Sequence, residues 1–312
     1  MFIDAVVLKR AQMIDSILSQ QLVNGLTLGC LYALIALGYT LIFGVMRFIF
    51  FAQGELCMIG AFGAMGAVFW LGRHIPAGLI GLTTLAFLGA ILVAVLVGLV
   101  AERLAIRPIR QAARTKQLIA SLGVSMILQN LILLSVGAEN YSFPSLFPNS
   151  AWSFLGARVT PIQSFVVAFS IFLMVGLHWI LRATRLGLHL RAVSESAETA
   201  ELDGIDVDRT IMMTFIVGSV LAASAGVMMG AYDGVVKYNM GFLPGIKGFT
   251  AAILGGFGRP SGAMLGGLVL GVSETIAAGY ISSSYRDAIA LALLVFILIV
   301  RPGGLVGKGL SS

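Results

Sequence analysis

An all-α membrane protein is the fold class this sequence predicts: a polytopic transmembrane bundle of about eight spans with short re-entrant half-helices. Three observations predict it. Apolar residues make up 58% of the 312 and charged residues 11%, with a mean hydropathy of +0.98, whereas an ordinary soluble domain carries about 25% charge. The apolar blocks run from residue 18 to residue 300 and leave no stretch long enough for a soluble domain. The basic residues behind the net charge of +6 sit in short loops between those blocks, which fits membrane orientation better than a nucleic-acid partner. Residues 1–312 are therefore read as a single membrane domain.

A helix needs roughly 20 apolar residues to cross the hydrocarbon core. The candidate spans are 18–44, 54–71, 78–101, 117–137, 161–181, 211–231, 262–280 and 286–301. Met13, Ile14, Ile17 and Leu18 share one helical face, which predicts that residues 1–17 form an interfacial segment leading into the first span. A cleavable signal peptide is not expected, because Lys9 and Arg10 follow the short apolar run instead of preceding it. The stretch 248–258 is apolar but too short to cross and reads as a half-helix; the same reading extends to 46–54. Glycine pairs at four-residue spacing, such as Gly25 with Gly29 and Gly267 with Gly271, predict close helix packing. Cys30 and Cys57 have no ligand spacing and read as small packing residues.

Loop 102–116 holds Arg103, Arg107, Arg110, Arg114 and Lys116 against Glu102, so the positive-inside bias makes it cytoplasmic. Counting spans puts 138–160 and the N-terminus outside and 182–210 inside, and the tail is also inside where 248–258 and its neighbours complete a crossing. The aromatic residues of 138–160, among them Tyr141, Phe143 and Trp152, read as an interfacial belt, with an external docking surface as the alternative.

Little in the chain carries chemistry of its own. The fragment Gly303-Gly-Leu-Val-Gly-Lys-Gly309 lacks the spacing and the hydroxyl residue of a phosphate-binding loop. His74, His178 and His189 are scattered, and no metal motif is present. Glu274 is the best intramembrane candidate for an ion pathway, with Ser273 and Thr275 as its expected hydrogen-bonding neighbours. The long loop 185–210 predicts a short acidic helix near 194–203, capped by Ser194, with Glu195 and Glu198 in its first turn and Gly204 as its stop.

That loop completes a set of motifs in a fixed order. They are Asn24-Gly-Leu-Thr-Leu-Gly29 with Tyr32-Ala-Leu-Ile-Ala-Leu-Gly-Tyr39, then Ile49-Phe-Phe-Ala-Gln-Gly-Glu55, then Leu202-Asp-Gly-Ile-Asp-Val-Asp208. Lys247-Gly-Phe-Thr-Ala-Ala-Ile-Leu-Gly-Gly-Phe-Gly258 and Arg301-Pro-Gly-Gly-Leu305 follow. With these the chain resembles the permease subunits of high-affinity branched-chain amino acid ABC importers, over nearly its whole length. Two departures stand out: Gln53 where the family usually has His, and Asp203 where a bulky apolar residue is common.

The resemblance implies a type II importer permease in a bacterial inner membrane, paired with a second homologous permease. Two cytoplasmic ATPase subunits would bind ATP and Mg, and a periplasmic binding protein would deliver the substrate. This chain would hold no cofactor and no metal and would not itself be an enzyme. Loop 185–210 would be the cytoplasmic coupling loop, with Arg191, Ala192, Glu195, Ala200 and Gly204 at the ATPase contact. Asn24, Tyr39, Gln53, Glu55, Phe249 and Thr250 are expected near the translocation path, with Glu274 added from its place inside a span. The implied substrate is a branched-chain or other neutral amino acid, with urea, amides or aromatic acids as alternatives. An ion-coupled carrier or channel is the competing class, with Glu274 as its charge; a non-transporting membrane scaffold is a third.

Overall fold

The computed structural model describes residues 2–72, 78–148, 150–154, 156–280, 282, 285–300 and 303–305. His74, Arg301, Pro302 and Lys308 lie outside the described residues. The chain is helical almost throughout. The helices are α1 (Phe2–Met46), α2 (Gln53–Leu71), α3 (Leu79–Ala101), α4 (Arg114–Val136), α5 (Pro161–Ala183), α6 (Arg185–Glu195), α7 (Ala197–Leu202), α8 (Val207–Asp233), α9 (Phe242–Gly255), α10 (Pro260–Tyr280) and α11 (Arg286–Val300). Among the described residues, seven of them are long and apolar enough to cross a bilayer. The expected eighth span, α11, has 15 residues, about 22 Å of helix at 1.5 Å per residue, which falls short of the roughly 30 Å core. The interfacial segment 1–17 is not a separate helix, since α1 runs unbroken from Phe2.

Burial sorts the helices into a centre and a rim. Leu31, Ala33, Leu34, Ile35, Ala36 and Leu37 of α1 are all fully buried, which is the pattern of a helix enclosed on every side. α8, α9 and α10 surround it, whereas α3, α4 and α5 expose large apolar side chains outward, as lipid-facing helices do. The predicted glycine pairs are the contacts between the central helices. A Cβ added to Gly29 would fall 2.9 Å from the α10 Leu268 Cα, and Gly271 faces Gly29 from the other side. Only residues without a side chain allow α1 and α10 to approach this closely.

Two segments begin inside the bundle. α1 ends at Arg47, a non-glycine residue with φ of 57°, a conformation that costs about 1–2 kcal/mol. It is held by the Arg47 amide bond to Phe43 O (2.8 Å) and by the guanidinium donating to Ser194 O. The chain then turns back inward, so α2 starts among buried residues: Gln53, Gly54 and Glu55 are all enclosed. On the other side, α9 has 14 residues and cannot cross alone. The half-helix expected at 248–258 is therefore present, longer at its N-terminal side, and the chain turns back inward at 46–54 as expected.

The bundle has two distinct ends. At the basic end, Arg107 and Arg110 pair with Asp208 at the start of α8, and Arg110 also reaches Glu102 at 2.7 Å. At the opposite end, β1 (Tyr141–Ser142) pairs antiparallel with β4 (Val235–Val236), and β2 (Trp152–Phe154) with β3 (Ala157–Val159). The aromatic loop 138–160 divides between both roles: Phe143 is buried against Gly230, while Trp152 is exposed. The helix expected at 194–203 is instead two helices, α6 and α7. Gly187, Leu190 and Val193 recur at threefold spacing and are buried, so the apolar stripe starts the first helix at Arg185. Ser196, extended at φ −154°, breaks the chain and caps α7 by accepting from the Thr199 amide at 3.2 Å. Ser194 is not a cap; its hydroxyl donates to Arg191 O. Gly204, at φ +80°, ends α7 as its sequence position predicts.

Candidate translocation path and docking loop

The starts of α2 and α9 meet in the interior. Neither has a side-chain cap, α2 following Ala52 and α9 following Gly241. Their backbones touch. A Cβ on Gly54 would lie 2.7 Å from Gly245 Cα, and one on Gly241 would lie 2.8 Å from Glu55 Oε2. Around this contact stand three expected path residues. The Tyr39 hydroxyl donates to Phe51 O at 3.4 Å, Gln53 Nε2 donates to Gly218 O at 2.9 Å, and Glu55 Oε1 accepts from the Ser125 hydroxyl at 3.3 Å. Glu55 is 1% exposed. Its Oε2 and the Gln53 Oε1 have no hydrogen-bond partner among the described residues.

Aromatic rings continue from this junction toward the basic end. Phe249 on α9 lies 6.0 Å from the Tyr39 ring, 5.8 Å from Phe51 and 5.8 Å from Phe257, and Phe257 sits 4.3 Å from Phe43. Thr250, next to Phe249, is buried and donates to Ile246 O within its own helix. The structure thus brings Tyr39, Gln53, Glu55 and Phe249 together, with Thr250 behind them.

Asn24 and Glu274 lie elsewhere. Asn24 Oδ1 accepts from Gln20 at 3.2 Å and from Gln163 at 2.9 Å, at the end that carries β2 and β3. Glu274 is fully buried and anchors an ion-pair network. Its Oε1 faces Lys247 Nζ at 2.7 Å, Arg286 Nε and the Tyr32 hydroxyl at 3.3 Å; Lys247 also reaches Asp287 at 2.6 Å. The expected neighbours do not hold Glu274: the Thr275 hydroxyl bonds instead to Gln21 O and Gly271 O. Lys247, Arg286, Asp287 and Tyr32 are the residues that sequence reading missed. Lys247 carried a signal, being a cation within an apolar half-helix, where a charge needs a partner. Among the described residues no group of three or more His, Cys, Asp or Glu could hold a metal ion.

In the loop 185–210, Arg191, Glu195 and Gly204 are exposed and Ala192 is half-buried. Ala200 is 2% exposed and faces inward, so it presents no surface here. Arg191 turns back to donate to Leu181 O of α5 at 2.7 Å. Leu202, at the end of α7, is 88% exposed.

Long buried helices broken in the interior, with polar groups at the breaks, are the architecture of a multi-span membrane transport protein. A family model described as the branched-chain amino acid transport system permease component matches residues 21–298. The high-affinity branched-chain amino acid transport system permease protein LivH of Escherichia coli K12 is 40% identical over 297 residues, covering 93% of this chain and 95% of LivH. BraD of Pseudomonas aeruginosa, named in the same terms, is 40% identical over 293 residues with the same coverage. A Methanocaldococcus jannaschii LivH relative is 32% identical, covering 89% of each chain. The chain belongs to the branched-chain amino acid transport permease family.

Proposed function

We propose that this chain is the membrane-spanning permease subunit of an ATP-driven importer for branched-chain or other neutral amino acids in a bacterial inner membrane. The observation that carries this is the likeness to LivH across 93% of one chain and 95% of the other, which leaves little of either protein unmatched. On this reading the basic end is cytoplasmic. A second, homologous permease completes the path. Two ATPase subunits bind ATP and Mg, and a periplasmic binding protein supplies the substrate.

The geometry supports a division of labour within this chain. The meeting of α2 and α9 forms the interior part of the path, where the Glu55 and Gln53 oxygens meet the polar part of a substrate and the rings of Phe51 and Phe249 meet its apolar part. α6 and α7 receive the ATPases: Glu195, Leu202 and Gly204 are exposed on one connection, and Arg47 links Ser194 to the turn at which α1 ends and the chain re-enters the bundle. Movement of α6 is thereby transmitted to the start of α2.

Two measurements test this. ATP-dependent uptake of labelled leucine into vesicles holding the complete assembly is expected, and uptake by this chain alone under an ion gradient would overturn the reading. Glu195→Arg together with Leu202→Asp is expected to prevent co-purification of the ATPases while the chain still inserts; unchanged co-purification would move the docking surface elsewhere. Gly204 is unsuited to this test, because any side chain there is strained at φ +80°.

A further inference from the structure

A cavity of about 270 Å³ opens at the basic end between α1, α5, α6 and the start of α10. Arg182, Arg191 and Arg259 line it, with His178, Ser194 and Ser261. Among the described residues that form its wall, none is acidic. The Arg182 and Arg191 guanidinium groups face a cavity whose described lining holds no carboxylate, which favours an anion, and the guanidinium fork suits phosphate oxygens. The first turn of α10, with Pro260 at its start, completes the wall, and a helix start also favours negative charge.

Apart from the Thr40 hydroxyl, the remainder of the wall is largely apolar, with Leu41 and Val45 of α1, Leu181 of α5 and Leu190 of α6. Thr40, the innermost α1 residue of the lining, lies six positions before the helix end at Met46, about 9 Å along the axis. The cavity thus joins a cationic rim to a largely apolar wall that reaches inward along α1 from the basic end. A soluble anion would use the rim alone, whereas an anionic lipid would use both.

We propose that this cavity is a binding site for the phosphate of an anionic phospholipid. The ligand bridges α6 to α1 and α5, because Leu190, Arg191 and Ser194 of α6 share the wall with His178 and Arg182 of α5. Lipid in the cavity therefore holds α6 against the bundle, a position that the Arg191 bond to Leu181 O already favours.

The site can be tested without any transport measurement. The full chain, purified in detergent with the subunits that accompany it, is titrated with phosphatidylglycerol, with phosphatidylcholine and with inorganic phosphate, and bound molecules are counted by native mass spectrometry. Selective retention of phosphatidylglycerol is expected. Arg182→Gln should weaken it about fivefold, and Gly44→Leu should abolish it by filling the cavity, since a Cβ at Gly44 meets nothing within 4 Å. Arg114→Gln, exposed at the same end but outside the cavity, should leave retention unchanged. Equal retention of both lipids, retention of inorganic phosphate alone, or equal loss with Arg114→Gln would overturn the proposal.

Discussion

Two polar clusters lie inside the same bundle and are built in opposite ways. Around Glu274, two cations and two carboxylates close on one another, and the tyrosine hydroxyl of the central helix joins them. Around Glu55, among the described residues, no cation is paired; the carboxylate has one serine hydroxyl, and its other oxygen points at the bare backbone of Gly241. The first arrangement compensates its own charge and ties α9 to α10 and α11. The second leaves acceptor capacity at the point where two helices start. Each acid keeps its Oε2 without a hydrogen-bond partner among the described residues, so the difference is charge: a carboxylate paired with cations holds structure, and one with no paired cation is suited to a visiting donor.

The largest expected effect breaks the first cluster. Glu274→Leu leaves Lys247 with Asp287 and the Tyr32 hydroxyl and takes from Arg286 the carboxylate it bonds, and removing one partner of a buried pair costs about 3–5 kcal/mol. Thermal unfolding in detergent should show this directly. The double variant Lys247→Met/Glu274→Leu should cost less than the sum of its parts, because the two side chains are in contact; strict additivity would mean that the network is not a coupled unit. Next in size is Gly54→Val, which forces a branched side chain against Gly241 and Gly245. Overpacking costs about 1–3 kcal/mol, and amino-acid uptake should be lost even where the assembly still purifies. The smallest effect on stability belongs to Glu55→Gln, which keeps the shape at a site without a paired cation. Its melting temperature should stay near that of the unmodified chain while the uptake rate falls about tenfold, equivalent to about 1.4 kcal/mol of barrier. A large loss of stability with normal uptake would reverse the contrast between the two clusters.

Much of the fold was legible because the rules that govern it are local. Runs of apolar residues mark spans, and glycine spacing marks close contacts: Gly25, Gly29, Gly267 and Gly271 lie between α1 and α10 as their spacing implies. The boundary of α6 was harder. Ser194 and Ser196 are both good caps by chemistry, and burial of Leu190 and Val193 selects the second. Of the expected path residues, Tyr39, Gln53, Glu55 and Phe249 converge, while Asn24 and Glu274 join other clusters. Nothing in a one-dimensional pattern distinguishes these outcomes, since Lys247 and Glu274 are 27 positions apart and Tyr32 and Glu274 are 242.

The sequence by itself determined that this protein lives in a membrane, that it is helical, and which end is basic, because hydropathy and charge act residue by residue against a uniform solvent. It also placed the two interrupted segments, since a run too short to cross must stop inside. Only the tertiary structure decided which charges are paired, which acids keep an open oxygen, and that three arginines from three elements surround one cavity. Those depend on the distances between helices, and only the packing of the whole bundle sets them.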